Sequence, residues 1–176
     1  MRIGAIFKIL LIELVAIVAL SAGDRELEKI FGVEFGRLNI EYKNVIGASL
    51  SSSNIVGGLK VGVQDYYWRS GFSTYYSKDG EQELFTSLIS IDRYLFASMY
   101  EDKDNIVKPY IGFDMGWMSY SDLEIDGDGL TYGANIGIVW GLSIGVDIDL
   151  GYRYLVTSID SIDSMDTISI SLNYIF

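Results

Sequence analysis

The chain has 176 residues, with apolar side chains at 49% of positions, aromatic ones at 14%, and 24 acidic against 13 basic residues for a formal net charge of −11. That acidity argues against a nucleic-acid partner, whose phosphates need a basic footprint. Cysteine and histidine are absent, which removes disulfides, thiol chemistry, the usual zinc ligands and the usual general base, so neither enzymatic activity nor a cofactor is expected.

Residues 1–22 read as a cleaved export signal. Arg2 and Lys8 flank or interrupt a run of Ile, Leu, Val and Ala that ends in the small residues Ser21-Ala22-Gly23. The apolar run reaches only from about Ile9 to Leu20 and contains Glu13, short of the ~20 residues a spanning helix needs. Cleavage is expected after Ala22 or Gly23, leaving 23–29 as a polar periplasmic leader and 30–176 as one further domain.

From residue 30 onward, apolar and polar positions alternate between turn-rich stretches. This predicts eight strands, over about 30–42, 56–67, 70–78, 83–96, 106–120, 129–140, 143–156 and 166–176. Joins at 67–70, 96–105 and 140–143 are short or modest, and those at 43–55, 78–82, 121–128 and 157–165 are mostly longer and polar. Alternating short and long joins predict an all-β, eight-stranded antiparallel up-and-down transmembrane β-barrel. Thirteen tyrosines, three tryptophans and one proline suit a chain made almost wholly of strands.

That topology sorts the aromatics into two girdles. Phe31, Tyr66, Tyr67, Trp68, Phe72, Tyr94, Phe96, Tyr110, Trp140, Tyr174 and Phe176 fall at one rim. Tyr42, Tyr75, Tyr76, Phe85, Trp117, Tyr120, Tyr132, Tyr152 and Tyr154 fall at the other.

The later strands divide cleanly into faces. Ile111, Phe113, Met115 and Trp117 share one face of the fifth, Leu130, Tyr132, Ala134, Ile136, Ile138 and Trp140 one face of the sixth, and Ile144, Val146, Ile148, Leu150, Tyr152 and Tyr154 one face of the seventh. Their alternates are glycine or polar. The fourth strand, 83–96, alternates poorly.

On this assignment the lumen holds Glu34, Lys60, Asp114, Asp147, Asp149 and Arg153, with Gln64, Asn135 and Asn173 among them. Side chains fill a barrel of eight strands, so these charges are expected to form an ion-pair network. The acids outnumber the bases, which calls for protonation, a water-filled pocket or a further cation such as Arg93.

Two segments carry separate signals. Asp122, Glu124, Asp126 and Asp128, with Gly127 in the tight-turn position, resemble the start of a calcium loop, but Gly133 stands where a bidentate glutamate would be. The last strand stacks Ile168, Ile170, Leu172 and Tyr174 on one face and Ser169, Ser171 and Asn173 on the other, and closes on Phe176.

Gly58-Leu-Lys-Val-Gly-Val-Gln64, Lys108-Pro-Tyr-Ile-Gly-Phe-Asp-Met-Gly-Trp117, Asp149-Leu-Gly-Tyr-Arg-Tyr-Leu155 and the terminal Tyr174-Ile-Phe176 together resemble the small eight-stranded outer-membrane barrels of the OmpA, OmpX and opacity-protein type. The resemblance spans about residues 30–176. It implies a Gram-negative outer-membrane location, outer-membrane lipid and lipopolysaccharide as surroundings, and a monomer. It also implies that Tyr174 and Phe176 form the signal read by the barrel assembly machinery.

A structural or surface-interaction role is the expected function. The alternatives are a small gated channel, or an adhesin or divalent-cation module acting through the acidic loops. Lipid-modifying barrels of this type rely on a histidine beside a serine, which this chain lacks. A soluble lipocalin-type barrel would reverse the polarity, burying Ile136, Ile148 and Leu172 and exposing Asp147 and Arg153.

Overall fold

A computed structural model describes residues 27–43, 51–123 and 125–176. The signal expected at 1–22, residues 23–26 of the expected leader, and Glu124 lie outside the described residues. Eight long strands run alternately up and down: β1 (Glu28–Tyr42), β2 (Ser51–Gln64), β3 (Trp68–Asp79), β4 (Gln82–Tyr94), β6 (Asn105–Ser121), β7 (Asp126–Leu142), β8 (Val146–Thr157) and β9 (Ile162–Ile175). A two-residue strand, β5 (Tyr100–Glu101), adds to β6 at Ile106 and Val107.

Each long strand pairs antiparallel with its neighbours, β9 returns to β1, and β4 pairs directly with β6, so the sheet closes. Closure gives every spanning strand two partners, which is what lets its amides and carbonyls sit in hydrocarbon. The β1–β9 seam sets Phe31 opposite Tyr174, Gly32 opposite Asn173 and Glu34 opposite Ser171. It runs to the last residue, with Lys29 and Phe176 exchanging backbone hydrogen bonds of 2.9 and 3.0 Å. Positive φ at Gly80 (58°) and Gly145 (74°) permits the tight turns from β3 to β4 and from β7 to β8.

The two faces have opposite chemistry. Outward positions carry exposed apolar side chains, with Ile136 at 52% and Leu172 at 53%, whereas inward Asp147 is 8% and Asp114 0% exposed. That polarity is the one a bilayer requires and the reverse of a soluble ligand-carrying barrel.

The interior is less uniformly polar than the alternation suggests. Toward the rim opposite the termini, inward Leu38, Ile40, Val56, Leu84, Leu88, Met118, Tyr120, Leu155, Ile162 and Met165 form one buried apolar cluster. The buried inward charges lie on the terminal side of this cluster, with Arg153 reaching a small void that Leu38, Leu88 and Leu155 also line.

Tyr42, half-buried against the apolar cluster with its hydroxyl 2.7 Å from that of Tyr120, and four fully buried tyrosines depart from the expected girdles. Tyr75, Tyr94, Tyr110 and Tyr120 are 5%, 4%, 4% and 0% exposed and lie on inward parity, sharing their faces with Arg69, Asp92, Asp114 and Met118 respectively. Distance along a strand selects a rim, but parity selects the face, and here parity decides. Their rings fill space left by inward glycines: a β-carbon on Gly58 would strike the ring of Tyr75, and one on Gly137 the ring and hydroxyl of Tyr110. Phe72, on outward parity, is buried as well.

The connections also differ from the expected alternation. Ser51–Asn54 extend β2 by pairing with Leu38–Glu41 of β1, which shortens the loop expected over 43–55. At the terminal rim, the segment 95–104 folds back as β5 along β6 instead of making a tight turn.

Gly137→Val would press a side chain onto the Leu150 carbonyl and the Tyr110 hydroxyl. It is expected to cost about 1–3 kcal/mol, read as a lower urea midpoint in detergent micelles. Ile138→Val, on the outward face, is expected to stay within about 0.5 kcal/mol of the parent.

Candidate functional site

All six residues singled out for the lumen turn inward. Glu34, Lys60, Asp114, Asp147 and Asp149 are buried, and the Arg153 side chain is 12% exposed. They do not form one cluster. Two ionic centres form along the interior, and Asp147 stands apart from both.

The first centre is built on Arg153 of β8. Its Nε lies 2.9 Å from Asp114 Oδ2 and its Nη1 3.5 Å from Glu34 Oε1. Asp114 also accepts from Asn135 Nδ2 at 2.9 Å and from the Ser90 hydroxyl. Tyr75 donates its hydroxyl to Glu34 Oε2 at 3.1 Å, and its ring lies 5.0 Å from the Arg153 guanidinium. β1, β3, β4, β6, β7 and β8 all contribute, so this centre ties most of the wall together.

The second centre is built on Asp149, two residues before Gly151 on the same face of β8. Its Oδ2 receives Lys60 Nζ at 3.1 Å and Arg69 Nη1 at 2.8 Å, and its Oδ1 accepts from the Tyr110 hydroxyl at 2.8 Å. Arg69 Nε reaches Asp92 Oδ2 at 2.8 Å while its guanidinium stacks 4.5 Å from the Tyr110 ring. Asp149, with both oxygens bonded, offsets much of the cost of leaving water, which an unpaired ion in this interior would bear in full, whereas Asp92 Oδ1 is buried without a hydrogen-bond partner.

Arg69 and Asp92 are the residues the sequence reading missed. The third predicted strand begins at residue 70, one residue past Arg69, and Asp92 lies in the strand with the weakest alternation. Counting back by twos from Tyr75 through Ser73 and Gly71 reaches Arg69, so the signal was present in the parity. Arg93, suggested as a compensating cation, is exposed and lies over the Trp68 ring at 4.9 Å on the outer face. One residue along a strand reverses the side, and Arg69 takes the role instead.

Asp147 meets only an amide. Gln64 Nε2 lies 3.5 Å from Asp147 Oδ2 and 3.0 Å from Glu28 Oε2, and the Tyr94 hydroxyl holds Gln64 Oε1 at 2.7 Å. Beyond these groups, at the terminal rim, opens a cavity of about 460 Å³. Deeper in, two voids lined by described residues are small: about 20 Å³ beside Arg153 and Leu88, and about 10 Å³ between Lys60 and Asp149. Each has room for about one water molecule.

The acidic hairpin and the terminal aromatics lie at opposite rims. Asp122 accepts from the Ile125 amide at 2.7 Å and from the Tyr120 hydroxyl at 2.8 Å, so it caps its own turn. Asp126 and Asp128 sit in β7 opposite Ser121 and Ser119. Among the described residues no three carboxylates converge as metal ligands would. Tyr174 and Phe176 are 56% and 62% exposed on the outer face, their rings stacked 5.8 Å apart.

Arg153→Met leaves Asp114 and Glu34 buried without their cation and is expected to cost about 3–5 kcal/mol. The double variant Arg153→Met/Asp114→Asn should recover part of that loss, with Glu34 accounting for the remainder. Urea midpoints of the single and double variants in micelles measure both effects.

The closed antiparallel barrel is shared with several solved structures. Neisserial surface protein A aligns with a TM-score of 0.61 at 17% identity, over 83% of this chain and 97% of that one. OprH from P. aeruginosa aligns with a TM-score of 0.58 at 21% identity, over 85% and 99%. The outer-membrane enzyme PagL aligns with a TM-score of 0.50 at 12% identity, over 82% and 98%. At these identities the likeness is one of fold. A comparison with curated proteins finds no match. The outer membrane protein β-barrel domain family, in contrast, matches residues 10–176. With nearly the whole sequence inside that match and the barrel closed with its apolar face outward, the chain belongs to the outer membrane protein β-barrel domain family and is an outer-membrane protein.

Proposed function

We propose that this protein is a solute-tight, non-enzymatic barrel with a structural or surface-interaction role in the envelope, surrounded by outer-membrane lipid and lipopolysaccharide and acting as a monomer. The carrying observation is the filled interior: two ionic centres below an apolar cluster, with voids of about 20 and 10 Å³ beside the centres. An ion crossing it would have to part Arg153 from Asp114 and Arg69 from Asp149, then enter a stretch walled mostly by apolar side chains, where few polar groups such as Asn54, Thr86 and Thr131 could replace its water. That disfavours a conducting lumen. The sequence holds no histidine to support the acid–base chemistry of an enzyme.

In this reading the rim that carries both described ends of the chain faces the periplasm. The hairpins at 79–82, 121–126 and 157–162 then face outward. Tyr174 and Phe176 serve assembly before the barrel closes, while the β9 edge is still open for strand addition by the assembly machinery. Afterward they lie in the lipid-facing girdle.

Two outcomes are expected. In planar bilayers the purified protein gives no discrete conductance steps; regular steps would overturn the closed-lumen reading. Deleting Phe176 lowers the amount of heat-modifiable barrel in the outer membrane several-fold, while refolding of purified chain into micelles stays close to normal. Equal losses in cells and in micelles would instead make Phe176 a packing residue.

A further inference from the structure

The cavity at the terminal rim is not used by that reading, and its chemistry is specific. At its inner end the Gln64 amide group lies between two carboxylates, Glu28 at 3.0 Å and Asp147 at 3.5 Å. The Tyr94 hydroxyl fixes the amide by donating to its oxygen. Neither carboxylate forms an ion pair with any described residue. Asp147 is 8% exposed and lines the cavity, where its one side-chain hydrogen bond among the described residues is the long one from Gln64. A buried anion so poorly compensated calls for a cation.

The remaining walls indicate which kind. Ile106, Val139 and Leu142 supply apolar wall, and Glu101, Asp104 and the exposed Lys103 line the cavity from the 95–104 segment at the rim. Asp102 beside them is committed to the turn: its carboxylate accepts from the Asp104 amide at 2.8 Å and the Tyr100 hydroxyl at 2.9 Å, which holds its pKa below the usual range. Lys108 lies over the rings of Tyr66 and Tyr94, at 4.7 and 5.1 Å, and so takes up the aromatic wall without pairing with an acid. A volume of about 460 Å³ lies within the small-molecule range and far exceeds a bare metal ion. Gln64, Tyr94 and Asp147 line the inner end.

We propose that this blind vestibule binds a short linear diamine or polyamine. One ammonium lies between Glu28 and Asp147, the methylene chain against the apolar walls, and the second ammonium near Glu101 and Asp104. Closure of the lumen is not required for this, so conductance results leave it unaffected.

The test is calorimetric titration of cadaverine into the protein purified from outer membranes in a zwitterionic detergent, at low salt. Saturable binding is expected, weakened roughly tenfold or more by Asp147→Asn and clearly weakened by Glu28→Gln. Asp126→Asn at the opposite rim should bind like the parent. If Asp147→Asn does not fold, Glu28→Gln at its exposed strand end decides. No saturable binding by the parent overturns the proposal, as does unchanged affinity in Glu28→Gln. Binding of n-pentylamine as tight as cadaverine overturns the two-ended site, and displacement of cadaverine by equimolar magnesium makes it an inorganic-cation site instead.

Discussion

The constraint on which the rest depends is the closure of the backbone ladder, at β1 against β9 and at β4 against β6. In hydrocarbon an unpaired amide has no water to fall back on, so the sheet must return to its starting strand. With eight strands the cylinder becomes narrow enough that side chains must fill it. Most inward charges are then forced into one another's company, and for Lys60, Arg69, Asp92, Asp114, Asp149 and Arg153 pairing follows from geometry before any function is considered.

Within that space the charges are segregated. Arg153 and Arg69 anchor ionic centres toward the termini, and Leu38, Leu84, Met118, Leu155 and Met165 seal the opposite half. The arrangement is mutually supporting: an apolar lid keeps water from the ion pairs, and a drier surrounding strengthens them. Tyrosine suits the boundary because its ring packs against apolar neighbours while its hydroxyl completes a carboxylate. Tyr75 does so for Glu34 and Tyr110 for Asp149, each ring also facing the arginine of its centre. Inward glycines make this possible by giving up volume where the rings lie.

The fold was legible because membrane polarity writes itself into every second residue of β6, β7, β8 and β9. Strand ends were less legible, since Ser51–Asn54 and Asp126–Asp128 are polar yet remain in the ladder beyond the apolar band. The same limit hid part of the interior. Arg69 was lost because a strand was started one residue late, and Asp92 because β4 alternates weakly. Phase along a strand is all that distinguishes Arg69, buried between two aspartates, from Arg93, stacked on Trp68 outside. The inward tyrosines were misplaced because a rim position and an aromatic side chain satisfy the girdle rule without reference to parity.

A full interior also limits where such a protein can differ from others of its architecture. Outward positions answer to lipid and inward positions to packing, so neither changes freely. The rims are released from both demands, and there this chain spends residues beyond what spanning needs. The 95–104 segment extends the wall through β5 and leaves Glu101 and Asp104 above a mouth that Glu28 and Asp147 already make acidic. A tight turn would have closed the sheet equally well. The excess chain, set over a carboxylate that no described cation partners, makes the terminal mouth a place where binding can be added without disturbing the ladder that holds the barrel in the membrane.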